Sequence, residues 1–402
     1  MKRIGRRSRP SLARRLAMVT SAVALGASSV AGVGAVNAEG PPVGSAPGDL
    51  ISVQPYAFRV LGGLPTPTKA WKIHYRSTDA LGNPNVVSGT VIVPEDGATG
   101  IRPLVTYAVG TVGMGDHCAP SATLAQSANL QTPSVAMLLG RGWAVAITDY
   151  PGLGTPGDHT YLVGRSEGTA VLDAARAAQR LPEAPRLGIS TDSPVGITGY
   201  SQGGQASAWA AELSSEYAPE LRVKAATSGG VPADMLKDAL DKRGGGGNPA
   251  AALMPAIGHD AAYPELKLDS YLTEAGRELV RKLRGGCVLD NLAAGAGKSL
   301  DDMLVSDPLE TPEWRQRLGE DKLGTRAPGY PVYLFHGISD EIVSYSLGER
   351  LRSDWCASGN TVEWRSYPLT DHVSTALVGG GPALDWLGQR LAGVPTQGNC
   401  GA

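Results

Sequence analysis

The segment Pro194-Val195-Gly196-Ile197-Thr198-Gly199-Tyr200-Ser201-Gln202-Gly203 is followed by a helical pattern of small residues from Gln205 to Ala211. An apolar strand, a G-x-S-x-G turn and a helix in direct succession are typical of a nucleophile elbow, which lifts a serine hydroxyl above the edge of a sheet. The glycines on either side of Ser201 keep such a turn free of steric clash. We therefore predict that Ser201 is a nucleophile.

The same pattern occurs a second time, at Gly164-Arg165-Ser166-Glu167-Gly168, as a short motif can in a chain with 53 glycines. Only Tyr161-Leu162-Val163 precedes this copy as an apolar run, and a long helical pattern follows it. Ser166 is therefore predicted to be an N-cap or pre-helix residue, with Glu167 near the positive end of the helix. The context favours Ser201 over Ser166 as the nucleophile.

The first 38 residues have the features of a targeting segment. A basic start is followed by an apolar run from Leu16 to Val36 and by the small residues of Val36-Asn37-Ala38. We predict a signal peptide cleaved after Ala38 and a secreted mature chain. A retained membrane anchor is the alternative, and the arginine pairs leave Sec and twin-arginine export both open.

Charge and composition restrict the partners. The formal net charge is only −2, and no basic patch with interleaved aromatic residues occurs beyond the leader. Nucleic acid is therefore not expected as a partner. We expect the mature chain to be a monomer or a weak dimer.

Four cysteines follow the leader: Cys118, Cys287, Cys356 and Cys400. An even number in an exported chain indicates two disulfides, for which three pairings are possible. A zinc site is the alternative, but the sequence has no C-x-x-C pair. We expect no metal and no organic cofactor.

Strand and helix patterns alternate along much of the chain. Residues 39–67 are rich in Pro and Gly and are interpreted as an extended arm, and the first two strand patterns alternate as edge antiparallel strands do. Later, more uniformly apolar patterns suit strands buried on both faces of a parallel sheet. The prediction is a doubly wound, mostly parallel sheet covered by helices. The strand patterns begin near Trp71, Val86, Leu104, Trp143, Pro194, Arg222, Pro331 and Thr361, and the helical patterns span 134–141, 168–181 and 203–217.

The alternation stops between about residues 231 and 326, where only helices and loops are indicated. We interpret this segment as a cap or lid inserted between a first core part, 39–230, and a second core part, 327–402. Insertions of this kind lie above the carboxyl ends of the strands, where open α/β sheets bind ligands. The alternative is a linker-rich second domain without contact to the site.

A nucleophilic serine needs a base, and the base needs an orienting acid. His372 follows the last strand pattern and is predicted to be the base, while Asp340 follows the strand that ends near Phe335 and is predicted to be the acid. Glu341 and Asp371 are alternatives for the acid, and His336 is expected to have a structural or loop-orienting role. The other histidines, His74, His117, His159 and His259, are weaker candidates for the base.

Two backbone N–H groups are expected to stabilise an oxyanion, one from the residue after the nucleophile and one from the loop after an early strand. The first is Gln202. The second belongs to the glycine-rich segment Gly110-Thr111-Val112-Gly113-Met114-Gly115, in which Thr111 is preferred.

Together these motifs resemble the secretory lipase family, which includes Candida antarctica lipase A. The resemblance implies an α/β-hydrolase fold with a helical cap and hydrolysis of triacylglycerols and other carboxylic esters. It implies Ser201, Asp340 and His372 as the triad and Cys118–Cys287 and Cys356–Cys400 as the disulfides. It rests on the elbow and on Cys118-Ala119-Pro120-Ser121, Asp149-Tyr150-Pro151-Gly152-Leu153-Gly154, Val171-Leu172-Asp173-Ala174-Ala175-Arg176-Ala177, His336-Gly337-x-x-Asp340 and Asp371-His372.

The sequence thus predicts a secreted serine carboxylic ester hydrolase, a lipase or esterase, that acts through an acyl-enzyme. It also predicts transient contact with a lipid interface through the cap. A peptidase or acyltransferase on the same scaffold is the alternative within enzymes, because an elbow does not set the acyl donor or acceptor. A non-catalytic secreted binding protein is the alternative from another class.

Overall fold

The computed structural model describes residues 45–60, 63–126, 129–243 and 247–401. The predicted signal peptide, residues 1–38, lies outside this part of the chain. Within it, no helix has the length and the apolar character needed to cross a membrane.

A nine-stranded sheet forms the centre of the fold, in the order β1-β4-β5-β7-β6-β8-β9-β10-β11. The six strands from β7 to β11 in this order pair in parallel, while β1, β4 and β5 pair antiparallel at one side. Two short strands, β2 and β3, form a separate antiparallel pair. The strands are β1 (Leu50–Tyr56), β2 (Arg59–Val60), β3 (Leu64–Pro65), β4 (Thr68–Thr78), β5 (Pro84–Pro94), β6 (Leu104–Ala108), β7 (Ala144–Thr148), β8 (Val195–Tyr200), β9 (Val223–Gly229), β10 (Val332–Gly337) and β11 (Val362–Tyr367).

Helices cover the sheet and fill the connections between its strands. Every residue of β6, β7 and β10 is buried, as expected for parallel strands covered on both faces. The α-helices of the described residues are α1 (Pro120–Thr123), α2 (Thr132–Leu139), α3 (Gly164–Gln179), α4 (Gln202–Tyr217), α5 (Met235–Asp241), α6 (Ala250–Ala262), α7 (Glu274–Gly285), α8 (Val288–Gly295), α9 (Pro312–Glu320), α10 (Tyr345–Ala357) and α11 (His372–Leu391).

Residues 231–326 form what we call the helical insert, which carries α5 to α9 between β9 and β10. Its buried apolar side chains form a cluster of their own, and this cluster also includes Met114 and Tyr161 to Val163 from the rest of the fold. The insert therefore packs directly on the loops that follow β6 and β7.

The structure corrects three details of the sequence interpretation. Residues 50–56, predicted as part of an extended arm, pair with β4 as the edge strand β1, so β4 is an inner strand. Helix α10 lies where no helix was predicted. Ser166 is not an N-cap, because α3 begins at Gly164 and its N-cap is Val163.

The chain reverses its direction of strand addition between β6 and β8, because β7 lies on one side of β6 and β8 lies on the other. The loops that leave the carboxyl ends of β6 and β8 therefore diverge and open a crevice, which is where open α/β sheets bind ligands. Ser201 follows β8, and Thr111 lies in the loop after β6.

Candidate active site

The turn at Ser201 has the backbone of a strained elbow. Ser201 lies at φ 61° and ψ −121°, a region that residues with a side chain rarely adopt. A Cβ on Gly199 would lie 2.0 Å from the Gly203 carbonyl oxygen, and one on Gly203 would lie 2.1 Å from that of Ala108. Only glycine fits at these two positions, so the motif is required by the close packing of β6, β8 and α4.

Three side chains from three different loops meet at this turn. His372 Nε2 lies 2.8 Å from Ser201 Oγ, and His372 Nδ1 lies 2.7 Å from Asp340 Oδ2. A carboxylate can only accept, so Nδ1 carries the ring proton and Nε2 is left to accept from the serine hydroxyl. The structure thus brings together the three residues that the sequence predicted as nucleophile, base and acid.

The Asp340 side chain is fully buried and held from several directions. Burial would raise its pKa, but hydrogen bonds from His336, His372 and the Val343 amide hold the pKa well below its usual value. The Ile342 and Val343 amides donate to Oδ1 at 3.0 and 2.8 Å. The carboxyl group therefore stays ionised beside the imidazole.

Two further contacts fix the backbone of His372. The Glu341 carboxylate accepts from the His372 amide at 3.1 Å, and the Tyr200 hydroxyl donates to the His372 carbonyl at 2.6 Å. Asp371 points away from the imidazole, because it caps α11 in a reciprocal capping box with Ser374. Neither alternative for the acid reaches Nδ1 in place of Asp340.

The two predicted oxyanion donors lie on neighbouring segments. Gln202 is the first residue of α4, where helix N–H groups have no partner within the helix. A Cβ on Gly110, the residue before Thr111, would lie 3.3 Å from the Tyr200 carbonyl oxygen, so the loop after β6 passes close to the elbow. The Thr111 hydroxyl is 2.8 Å from the Tyr161 hydroxyl.

All four cysteines are paired, as Cys118–Cys287 and Cys356–Cys400. His117 Nε2 lies 3.4 Å from Cys287 Sγ, and among the described residues His117, Cys118 and Cys287 form the one cluster with metal-ligand spacing. Because both sulfurs are joined to each other, neither is available as a thiolate ligand. The first disulfide ties the loop after β6 to the helical insert.

Sequence reasoning missed a buried polar group below the elbow. The Gln202 side chain contacts Glu167 and His159, and both are almost completely buried. The signal available in the sequence was Glu167 itself, an acidic residue that lies between the small residues Ser166 and Gly168 at the start of α3.

The helical insert also contains a cavity of about 280 Å³. Its lining is mostly apolar and includes Leu253, Leu268 and Trp314, and it does not include the Ser201, Asp340 or His372 side chains. The cavity is therefore separate from the three side chains that meet at the elbow.

The model of the secretory lipase family matches residues 118–399, which is more than half of the chain. The chain belongs to the secretory lipase family. The enzyme class predicted from the sequence, a lipase or esterase, and the predicted α/β-hydrolase fold are therefore confirmed.

Individual relatives extend over most of the chain. A protein of Mycobacterium tuberculosis (strain CDC 1551 / Oshkosh) named "Probable inactive lipase MT1628" is 32% identical over 377 residues, which cover 88% of this chain and 81% of the relative. Lipase 5 of Candida albicans is 30% identical over 386 residues, covering 90% and 81%. The structure of Candida antarctica lipase A superposes with a TM-score of 0.78 at 24% identity over 89% of this chain and 85% of that one, a likeness in fold.

Proposed function

We propose that this secretory lipase family member is an active serine hydrolase of carboxylic esters. The observation that carries the proposal is the continuous contact from Ser201 Oγ through the His372 imidazole to the buried Asp340 carboxylate, with distances of 2.8 and 2.7 Å. Family membership does not decide this point by itself, because one relative bears the name of an inactive lipase.

In the proposed reaction Ser201 Oγ attacks the ester carbonyl carbon while His372 Nε2 takes the hydroxyl proton. The tetrahedral intermediate collapses, the alkoxide leaving group takes that proton from His372, and an acyl-enzyme forms on Ser201. Water, deprotonated by His372, then attacks the acyl carbon, and Ser201 leaves with the proton. Asp340 keeps the imidazole in the required tautomer and stabilises its protonated form.

The backbone N–H groups of Gln202 and Thr111 are proposed as the donors to the oxyanion. The positions of the two residues support this assignment, because Gln202 follows the nucleophile at the start of α4 and the Thr111 loop passes close to the elbow. A helix N-terminus also favours negative charge, since its partial positive charge faces the crevice.

We also propose that the chain is exported with removal of residues 1–38 and that it contacts lipid at a surface. The relative from Malassezia furfur is named a secreted triacylglycerol lipase, and triacylglycerol is the substrate class we propose here. Exposed aliphatic side chains lie in the helical insert, at Leu289, Leu292 and Val305, and close to His372 in the sequence, at Leu369, Val373 and Leu377. Such groups are expected where a protein meets an apolar partner.

A fluorophosphonate probe combined with an ester series tests the proposal. The probe is expected to label Ser201 in the wild-type protein and not in Ser201→Ala, and p-nitrophenyl esters from acetate to palmitate are expected to be hydrolysed by the wild type alone. A folded protein that neither reacts with the probe nor turns over any ester would be a binding protein. Turnover of an aminoacyl amide without any ester turnover would identify a peptidase.

A further inference from the structure

The second G-x-S-x-G segment lies directly behind the elbow. Residues 159–167, which we call the support loop, run from His159 into the first turn of α3 and contain Tyr161 and Glu167. We propose that Glu167 is a positioning residue that holds the Gln202 side chain and thereby fixes the backbone N–H of Gln202 as an oxyanion donor. This inference rests on the proposed function.

Both amide hydrogens of the Gln202 side chain have an acceptor in the support loop. Gln202 Nε2 donates to Glu167 Oε1 at 2.7 Å and lies 3.0 Å from His159 Nε2. All three side chains are buried, with exposed fractions of 2% or less. A side-chain amide whose two N–H donors both bond to buried acceptors is held in one orientation. This also restrains the backbone of the same residue.

The protonation states of the acceptors agree with this arrangement. His159 Nδ1 donates to the Pro151 carbonyl at 3.1 Å, which leaves Nε2 free to accept. Burial lowers the pKa of His159 to about 4, so the ring is neutral at neutral pH. Burial also raises the pKa of Glu167 well above its usual value, although hydrogen bonds from Gln202 and the Leu162 amide oppose this.

Burial therefore favours the neutral form of the Glu167 carboxyl group. Its Oε1 accepts from Gln202 and, at 3.0 Å, from the Leu162 amide, while Oε2 has no hydrogen-bond partner among the described residues. In the neutral form, Oε1 is the carbonyl oxygen that accepts both bonds, and a proton on Oε2 has no hydrogen-bond acceptor among the described residues. A glutamine side chain could supply the same carbonyl acceptor, which provides a conservative variant for a test.

The support loop also holds the second proposed donor. The Tyr161 hydroxyl lies 2.8 Å from Thr111 Oγ1, and the Tyr161 ring packs edge-on against His159. One segment therefore contacts the side chains of both residues whose backbone amides are the proposed oxyanion donors.

Close packing fixes the support loop itself. A Cβ on Gly164 would lie 1.9 Å from Trp209 Nε1, and a Cβ on Gly258 of the helical insert would lie 2.2 Å from the Tyr161 carbonyl oxygen. The Asp321 carboxylate accepts from the Gly164 amide at 2.9 Å. The second G-x-S-x-G motif thus serves close packing of α3 on α4, and its Glu167 faces Gln202.

The chain offers a matched control for a purely structural role. Glu212 lies on the same helix as Gln202 and is 2% exposed, and its Oε1 accepts from the Gly324 amide at 2.7 Å and from Trp355 Nε1 at 2.6 Å. Like Glu167, it has a second oxygen without a hydrogen-bond partner among the described residues. Its partners lie away from the elbow, so its loss should affect stability alone.

The experiment compares Glu167→Leu, Glu167→Gln and Glu212→Leu with the wild type. It measures kcat and KM for p-nitrophenyl butyrate, the melting temperature, and the affinity for an alkylboronic acid. The tetrahedral adduct of a boronic acid places an oxygen in the oxyanion position. Glu167→Leu is expected to lower kcat about tenfold to hundredfold, with KM within about twofold and boronic acid affinity reduced in parallel. Glu167→Gln is expected to keep kcat within about threefold, and Glu212→Leu is expected to lower only the melting temperature.

The proposal is overturned if folded Glu167→Leu keeps the wild-type kcat, or if Glu212→Leu lowers kcat as much. Should Glu167→Leu not fold, Gln202→Leu removes the same contact from the other side, and an unchanged kcat there overturns the proposal equally. Failure of the proposed function would instead appear in the wild type, as an absence of turnover and of probe labelling at Ser201.

Discussion

His336 Nε2 lies 3.3 Å from Asp340 Oδ2, the oxygen that faces the imidazole of His372. The same nitrogen donates to the Val343 carbonyl at 3.0 Å. One fully buried histidine at the end of β10 therefore holds both the acid and the loop that carries it.

This contact predicts a moderate loss of activity in His336→Phe, which keeps a ring but removes the donor. We expect kcat to fall about tenfold, because Asp340 loses part of what fixes its position. Tyr345→Phe is the control, since the Tyr345 ring packs edge-on against His336 while its hydroxyl contacts Ser366. Equal kcat values for the two variants would contradict the assignment.

Asp340→Asn and Glu341→Gln separate the two carboxylates near His372. Asp340→Asn should lower kcat by about 10⁴-fold, because an amide at Nδ1 favours the wrong imidazole tautomer. The backbone amide is the only atom of His372 that Glu341 contacts. Glu341→Gln is therefore expected to lower kcat by less than about tenfold. Steady-state kinetics on p-nitrophenyl butyrate measure both, and the reverse order would make Glu341 the acid.

The two disulfides should differ in their effect on activity more than in their effect on stability. The paired cysteines are separated by 169 and 44 residues in the sequence. In the chain-entropy model these separations correspond to stabilisation by at most about 5 and about 4 kcal/mol. Only Cys118–Cys287 adjoins the Thr111 loop, where the Val288 amide donates to the Val112 carbonyl at 2.9 Å. Replacing both members of each pair by serine and measuring urea unfolding and kcat tests this. Only the Cys118 and Cys287 double variant should lose kcat while still folded.

The exposed aliphatic side chains should matter for emulsified substrate and not for dissolved ester. Leu369 and Leu377 are 95% and 79% exposed and lie close to His372 in the sequence. Replacing both by serine removes apolar surface and leaves the triad residues unchanged. Turnover of a triacylglycerol emulsion is expected to fall, while turnover of p-nitrophenyl acetate is expected to stay unchanged. Leu289→Ser tests the helical insert in the same way.

Ile101→Ser is the control for these variants, because Ile101 is 60% exposed and precedes β6, at the end of the sheet opposite the elbow. An equal loss in the control, or no loss on the emulsion in any variant, would contradict a lipid contact at these residues.

Glu212 makes stability depend on pH. Burial raises its pKa from 4.5 to about 7, against opposing hydrogen bonds from Gly324 and Trp355. Between these two values the folded protein keeps a proton that the unfolded chain has released, so the free energy of unfolding falls as pH rises, by about 3 kcal/mol at most. Thermal melts across this window should show a smaller decrease for Glu212→Gln than for the wild type, and parallel curves would show that Glu212 does not titrate there.

The strongest sequence predictions were those in which a local pattern has one physical solution. Gly199 and Gly203 are required by backbone approaches of about 2 Å, so the motif and its flanking strand and helix located the elbow correctly. The order of Asp340 and His372 after the buried strands placed both at the same end of the sheet. In contrast, β1 was missed because its pairing with β4 is a contact between distant segments.

By itself, the sequence determined the parallel core, the position of the elbow, and the residue types available as nucleophile, base and acid, because each is encoded in apolar periodicity and glycine spacing within a few residues. Only the tertiary structure decided which carboxylate reaches His372 Nδ1, and that Glu167, 35 residues from Gln202, meets its side chain below the elbow. Burial and hydrogen-bond geometry are properties of packed segments, and no single segment carries them.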